Sequence, residues 1–202
     1  MHPTNDAPEP ADVAQGPWLN DPRLRPVHVR FRRLAVPLLV LGLVPFVYLA
    51  HGVSLWPALV VLALGEFTQL WAAANLEKQT VLSSSGPYRL IRNPMYVGRF
   101  LVAAGLALMV HYRWLALAAV IVVFLPYASA RVAREEPRLL AAFGDSYAAY
   151  CARVRRWWPR VPARGEPWLS WSWQKVLANH QLRFTAGLVV TVVLVVLRRL
   201  LL

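Results

Sequence analysis

Residues 86–98 read Gly-Pro-Tyr-Arg-Leu-Ile-Arg-Asn-Pro-Met-Tyr-Val-Gly and lie between two long apolar runs. The stretch holds two glycines, two prolines, two tyrosines and two arginines, which is far richer than an ordinary loop between membrane helices. Asn93 suits the N-cap of a helix, and Pro94 suits the first helical position because its missing N–H has no partner there in any case. The stretch therefore predicts a polar loop that ends where a membrane helix begins.

The apolar residues of the chain are concentrated in runs. Of the 202 residues, 57% are hydrophobic and 16% are charged, whereas soluble domains are roughly 45–50% apolar and about 25% charged. A membrane span needs about 20 apolar residues, and five runs approach that length: Leu34–Ala50, Leu55–Ala74, Val97–Tyr112, Trp114–Ala130 and Phe184–Leu197. The last run reaches it only if Arg198 and Arg199 snorkel to the interface. We predict an all-α, polytopic membrane helix bundle of about five transmembrane helices.

The net charge of +12 is distributed as expected for a membrane protein. Basic residues precede the first run, follow the second and are dense over Arg131–Arg183, while the other connections carry few. Positive charge of this kind marks the cytoplasmic side and attracts anionic headgroups. The pattern therefore indicates a cytoplasmic N-terminus and membrane lipids as partners, and it favours membrane topology over nucleic acid binding as the cause of the positive charge.

The predicted organisation has three parts. Residues 1–22 hold four acidic residues and several prolines without an apolar core, and five arginines follow in 23–33. Residues 1–33 therefore predict a disordered tail with a basic end rather than a signal peptide. Residues 34–164 form the membrane core. Residues 165–202 predict an amphipathic interfacial helix over 168–183, with Trp168, Trp171 and Trp173 as an aromatic belt, and then a C-terminal membrane helix.

Three residues, His111–Arg113, connect the third run to the fourth, so the two helices should form a tight antiparallel hairpin. The hairpin would bring Arg92–Tyr96 close to Arg131–Glu136. A cytoplasmic helical segment should follow the fourth span, with Gly144 as a break. Within the second span, Glu66 favours an interhelical hydrogen bond over a substrate or proton contact.

The residues expected to converge at the cytoplasmic end of the hairpin have complementary chemistry. The start of the third span offers free N–H groups and a positive helix end, which suit an anion. Arginines add positive charge, the glutamates accept from ammonium or hydroxyl groups, and tyrosines offer flat faces. S-adenosylmethionine fits such a site, although arginines and tyrosines at this depth also serve as topology anchors and belt residues. The residues concerned are Tyr88, Arg89, Arg92, Tyr96, Glu135 and Glu136.

Residues 86–98 resemble the signature of the membrane-embedded isoprenylcysteine carboxyl methyltransferase and phospholipid N-methyltransferase superfamily. Glu135-Glu136, Phe143-Gly144, Tyr147, Tyr150 and residues 153–159 extend the resemblance, which covers about Glu66 to Pro162. It implies a methyltransferase with S-adenosylmethionine as cofactor and a lipophilic acceptor. Carried over by position, it implies a cofactor site that includes these residues: Tyr88, Arg92, Asn93, Pro94, Tyr96, Glu135 and Glu136.

The resemblance also implies catalytic roles. Arg131 matches a basic position that helps to orient the acceptor, and Glu136 is the candidate base if the acceptor is an amine. The chain departs from the family pattern at Asn93, where histidine is usual, and at Arg155, where proline is common. No histidine cluster has metal-ligand spacing, and Cys151 is expected to be inert.

The acceptor is not determined by the residues, and a lipid, an isoprenoid-like acid, an amine headgroup or a small thiol all fit. A non-catalytic membrane protein, such as a transporter subunit or assembly factor, is the alternative from another class. A sterol-reductase-like enzyme is a second enzymatic alternative, for which the chain is short. The composition favours a bacterial inner membrane as the location, with the active site on the cytoplasmic face.

Overall fold

The computed structural model describes residues 42–51, 54–77, 81–162 and 169–201. The chain divides into two compact units, Met1–Pro45 and Phe46–Leu202, and the contacts discussed below belong to the second. The tail predicted over residues 1–33 and most of the first predicted span lie outside the described residues.

The described residues form helices joined by loops, and they contain no strand. Residues 42–49 are helical (α1), and a single 3₁₀ turn occupies Gly86–Arg89. The other helices are Trp56–Ala73 (α2), Pro94–Met109 (α3), Arg113–Arg153 (α4), Trp173–Ala178 (α5) and Gln181–Leu201 (α6). The predicted all-α class is confirmed.

Helices α2, α4 and α6 are each long and apolar enough to cross a membrane. Helix α3 is also apolar but has only 16 residues, which corresponds to about 24 Å at a rise of about 1.5 Å per residue. Helix α6 runs through Arg198 and Arg199, so these residues do extend the last apolar run. Together the four helices support a helical membrane bundle.

Helices α2 and α3 approach each other closely because glycines line their contact. A Cβ added to Gly65 would lie 2.6 Å from the backbone nitrogen of Val102, and one added to Gly105 would lie 2.8 Å from Leu62. Contact of this kind is typical of membrane helices, in which small residues let backbones come together. The α2–α3 pair is therefore in close backbone contact.

Helix α6 packs on this pair through apolar and polar contacts. Leu188 and Val195 join a buried cluster with Leu62, Val102 and Met109. The hydroxyl of Thr185 donates a hydrogen bond to Glu66, and Gln69 donates to the same carboxylate at 3.5 Å. The interhelical hydrogen bond predicted for Glu66 is confirmed.

Helix α4 returns antiparallel to α3 after a connection of three residues, as predicted. It continues without interruption past the apolar run until Gly144, where the backbone has φ 50° and ψ −128°. A positive φ combined with this ψ is readily adopted by glycine and is strained for residues that carry a Cβ. The predicted break at Gly144 is confirmed, and it redirects residues 145–153 towards the loop before α3.

The segment after α4 is less helical than predicted. Of the amphipathic helix expected over residues 168–183, only Trp173–Ala178 is helical before α6 begins. His180 lies between α5 and α6 and has a φ of 55°. Trp171 and Trp173 pack edge to face, with ring centroids 5.2 Å apart, and Trp168 lies outside the described residues. The expectation of one continuous helix is wrong because the backbone turns between α5 and α6.

Candidate functional site

The polar loop before α3 lies against the chain segment that follows α4. The backbone N–H of Arg92 donates to the carbonyl of Arg155 at 2.9 Å, and that of Arg160 donates to Leu90 at 2.8 Å. The Arg160 Nε also donates to the carbonyl of Arg89 at 2.8 Å. Residues 155–160 therefore form one wall of the site, beside the loop 86–93.

Gly86 begins this loop in a conformation that other residues avoid. Its φ is +54°, and a Cβ there would collide with the side chain of Asn75. Asn75 is itself 2% exposed and donates to the carbonyls of Trp71 and Ser170, each at 2.9 Å. Asn75 thus connects the end of α2 to the C-terminal segment, a role for which the sequence offered no signal.

Tyr88 belongs to this loop, and its side chain is buried in the interior. The hydroxyl of Tyr150 donates to its backbone carbonyl at 2.8 Å, and the Tyr88 side chain is 9% exposed. Burial raises the pKa of the Tyr88 hydroxyl above its usual range. In this structure Tyr88 anchors the loop, and a contact with a cofactor remains a prediction.

Asn93 occupies the N-cap position of α3, and Pro94 is the first helical residue, as predicted. The side chain of Asn93 makes no capping hydrogen bond. Its Nδ2 donates instead to the carbonyl of Arg156 at 3.3 Å. The predicted position is correct but the predicted capping contact is not made, because the side chain is used to hold the segment that follows α4.

The two adjacent glutamates have different partners. Glu135 accepts a hydrogen bond from the Tyr96 hydroxyl at 2.9 Å and lies 3.5 Å from Arg131, four residues earlier on the same helix. The Glu135 side chain is 40% exposed. The hairpin therefore does bring the start of α3 to the double glutamate, as expected from its short connection.

Glu136 is held by two arginines from different parts of the chain. Arg92 Nη1 donates to Oε1 at 3.1 Å, and Arg156 donates to Oε1 from Nε at 3.0 Å and to Oε2 from Nη2. The hydrogen bond with Glu136 raises the pKa of Arg156. Both carboxylate oxygens of Glu136 are thus engaged, in a setting where charge-assisted hydrogen bonds are strong.

Arg92 has a further contact and an unused donor. Its Nη1 lies 2.9 Å from the sulfur of Cys151, and its Nε is buried without a hydrogen-bond partner among the described residues. Nε of Arg89 is in the same condition. Buried donors without partners are uncommon, and both of these belong to arginines in the segment that precedes α3.

Arg156 is the site residue that the sequence reasoning did not identify. It belongs to the stretch 153–159, which resembles the family, and that resemblance was the available signal. Within the described part of the chain, no group of three or more histidine, cysteine, aspartate or glutamate side chains could hold a metal ion. Six charged or polar side chains therefore meet at the start of α3: Arg92, Arg131, Arg156, Glu135, Glu136 and Tyr96.

Comparison with known proteins places this arrangement in a family. A model of the phospholipid methyltransferase family matches residues 39–146, more than half of the chain, including the loop, α3 and the double glutamate. The chain belongs to the phospholipid methyltransferase family. The superfamily resemblance seen in the sequence is confirmed. Arg156 lies beyond the residues that the family model matches.

Two curated relatives match part of the chain. The cobalt-zinc-cadmium resistance protein CzcN of Cupriavidus metallidurans is 36% identical over 101 residues, which are 48% of this chain and 46% of the relative. The protein-S-isoprenylcysteine O-methyltransferase of Schizosaccharomyces pombe is 30% identical over 115 residues, 57% of this chain and 48% of the relative. The chain thus spans about half the length of each. No solved structure matches.

Proposed function

We propose that this family member is an S-adenosylmethionine-dependent methyltransferase that acts on a lipophilic acceptor in the membrane. One observation carries the proposal. The loop and first turn of α3 resemble the superfamily signature, as does the double glutamate of α4. The two segments meet through Tyr96–Glu135 at 2.9 Å and Arg92–Glu136 at 3.1 Å. Membership of a methyltransferase family supports the same reaction class.

The residues present fit the cofactor. Its carboxylate is suited to the arginines and to the N-terminal end of α3. Its ammonium and ribose hydroxyls are suited to Glu135, which is 40% exposed and has one oxygen engaged by Tyr96 and Arg131. When bound, the cofactor supplies a methyl group on a sulfonium. What the protein adds is alignment of the acceptor and exclusion of water.

Arg131 and Glu136 keep the roles suggested by the sequence as parts of this proposal. Arg131 is 47% exposed beside Glu135 and can hold an acidic acceptor. Glu136 would take the proton of an amine acceptor, but both of its oxygens accept hydrogen bonds from guanidinium groups. Its Oε2 accepts from Arg156 alone and is therefore the oxygen with acceptor capacity left for such a proton. An acceptor that needs no base makes the smaller demand on this site.

An apolar groove between α3 and α4 supports a lipophilic acceptor. The groove is open, measures about 360 Å³ and is lined by Ala103, Ala119, Val120, Val123, Phe124 and Tyr127. Tyr127 lies four residues, or one helical turn, before Arg131. We propose that the acceptor chain enters this groove from the bilayer, with the site on the cytoplasmic face of a bacterial inner membrane.

Calorimetric titration of the purified protein with S-adenosylmethionine tests the proposal. We expect binding to the wild type and its loss in Glu135→Ala and Glu136→Ala, provided that both variants keep the thermal unfolding profile of a folded protein. Absence of binding to folded wild type would refute the proposal. Transfer of labelled methyl groups into a total lipid extract then identifies the acceptor class.

A contribution to metal resistance is the second candidate function, favoured by the relative named as a cobalt-zinc-cadmium resistance protein. A role in metal resistance would make the protein non-catalytic only if the protein does not transfer methyl groups. Deleting the gene and measuring growth in cobalt, zinc and cadmium, with complementation by wild type and Glu135→Ala, separates the two. Restoration by both proteins would favour a non-catalytic role.

A further inference from the structure

We propose that Arg156 binds the carboxylate of a ligand, and that Glu136 holds its guanidinium in position to do so. The proposal rests on the proposed function, since it concerns the same site. The carboxylate comes from one of two sources, the amino-acid end of the cofactor or an acidic acceptor. Arg156 lies outside the range matched by the family model.

The geometry of Arg156 leaves donors available. A guanidinium has five N–H donors in a rigid fork. Arg156 uses Nε and Nη2 on the two oxygens of Glu136, and its side chain is 41% exposed. Nη1 makes no hydrogen bond to a described residue. Glu136 therefore fixes the plane of the guanidinium, while Nη1 keeps its two N–H donors for a ligand.

The charge around Arg156 favours an anion. Glu136 is shared between Arg156 and Arg92, so these three groups carry one excess positive charge. The backbone carbonyl of Arg156 accepts a hydrogen bond from Asn93, the residue that precedes the first turn of α3. The backbone of Arg156 is thus held at the N-terminus of α3, the end of a helix where negative charge is stabilised.

A purely structural ion pair makes a different prediction. If Arg156 served only to neutralise Glu136, its removal would change stability without altering which ligands bind. A carboxylate-binding residue instead gives selectivity for ligands that carry a carboxylate. The two roles are separated by comparing ligands that differ in that group alone.

The first arm of the test compares S-adenosylmethionine with decarboxylated S-adenosylmethionine by calorimetry on the full-length protein in detergent. We expect the wild type to prefer the carboxylated cofactor by at least about tenfold, as for a charge-assisted hydrogen bond. Arg156→Gln should reduce the preference to within about twofold, and Arg156→Lys, which keeps the charge without the fork, should be intermediate.

Arg155→Gln is the matched control. It removes the same charge one residue away, from an exposed side chain. It should keep the preference of the wild type for the carboxylated cofactor. Thermal unfolding of each variant shows whether the protein is folded.

The second arm uses dodecanoate and dodecylamine as probes and measures the rise in unfolding temperature that each produces. If the carboxylate belongs to the acceptor, dodecanoate should stabilise wild type and Arg155→Gln but not Arg156→Gln, while cofactor affinity is unchanged. Any rise in unfolding temperature produced by dodecylamine should be the same in wild type, Arg155→Gln and Arg156→Gln.

The inference is overturned if no carboxylate preference appears in either arm, or if the preference survives in folded Arg156→Gln. Failure of the wild type to bind S-adenosylmethionine refutes the proposed function instead. In that case an Arg156-dependent response to dodecanoate would still support carboxylate binding by this residue.

Discussion

Arg92 and Glu136 are 44 residues apart in the sequence, and Arg92 Nη1 donates to Glu136 Oε1 at 3.1 Å. The two side chains are 17% and 19% exposed. Because Glu136 also accepts from Arg156, one carboxylate joins the loop before α3, the helix α4 and the segment after it. This connection encloses the start of α3, where the cofactor is proposed to bind.

Loss of Glu136 should destabilise the protein more than loss of Arg156. Glu136→Ala leaves Arg92 without its carboxylate in a largely buried place, whereas Arg156→Ala leaves Glu136 paired with Arg92. We expect a difference of about 1–3 kcal/mol, the cost of an unsatisfied buried polar group. Chemical unfolding in detergent measures it.

Arg134→Ala is the control for this comparison, because Arg134 is exposed and bonds only to the backbone of its own helix. It should change the free energy of unfolding by less than about 0.5 kcal/mol. Equal destabilisation by Glu136→Ala and Arg134→Ala would show that the two-arginine cluster contributes nothing to stability.

The glycines between α2 and α3 should not tolerate a methyl group. In Gly65→Ala and Gly105→Ala the new Cβ lies within 3 Å of the opposite helix, so the helices must separate at a cost of about 1–3 kcal/mol. Gly187→Ala in α6 has open space and should be neutral or stabilising by up to about 1 kcal/mol. Unfolding temperatures of the three variants test this, and similar values would contradict the close contact.

Thr185→Val should destabilise the packing of α6 on α2. The substitution keeps the shape of the side chain but removes the hydroxyl that donates to Glu66, at a cost of about 0.5–1.5 kcal/mol. Thr191→Val is the matched control, since Thr191 bonds only to Gly187 in its own helix. If Thr185→Val altered methyl transfer and left stability unchanged, Glu66 would have a functional role rather than a packing role.

Tyr96→Phe should weaken binding of S-adenosylmethionine about three- to tenfold, because Glu135 loses the hydroxyl that orients it. Tyr127→Phe is the control, since Tyr127 is 51% exposed in the apolar groove and a phenyl ring preserves that lining. Calorimetric titration of both variants provides the measurement. Unchanged cofactor affinity in Tyr96→Phe would exclude an orienting role for the hydroxyl.

The residues of the candidate site could be predicted to different degrees. Tyr96 and Glu135 were expected to meet, because a connection of three residues leaves an antiparallel hairpin as the only arrangement of two apolar helices. Arg156 was not expected at the site, because its position depends on the direction the chain takes after Gly144. The capping contact of Asn93 was predicted wrongly, since a tertiary partner competes with the local one.

The sequence by itself determined the helical membrane class, the start of α3 at Asn93–Pro94 and the break at Gly144. These features follow from local physics, since apolar runs must satisfy their own backbone in lipid and since proline and glycine restrict or release φ within one residue. Only the tertiary structure decided that Glu136 is shared by Arg92 and Arg156, and that glycines bring α2 against α3. Those contacts join residues far apart in the chain, and their formation depends on how side chains of distant segments fit together in space.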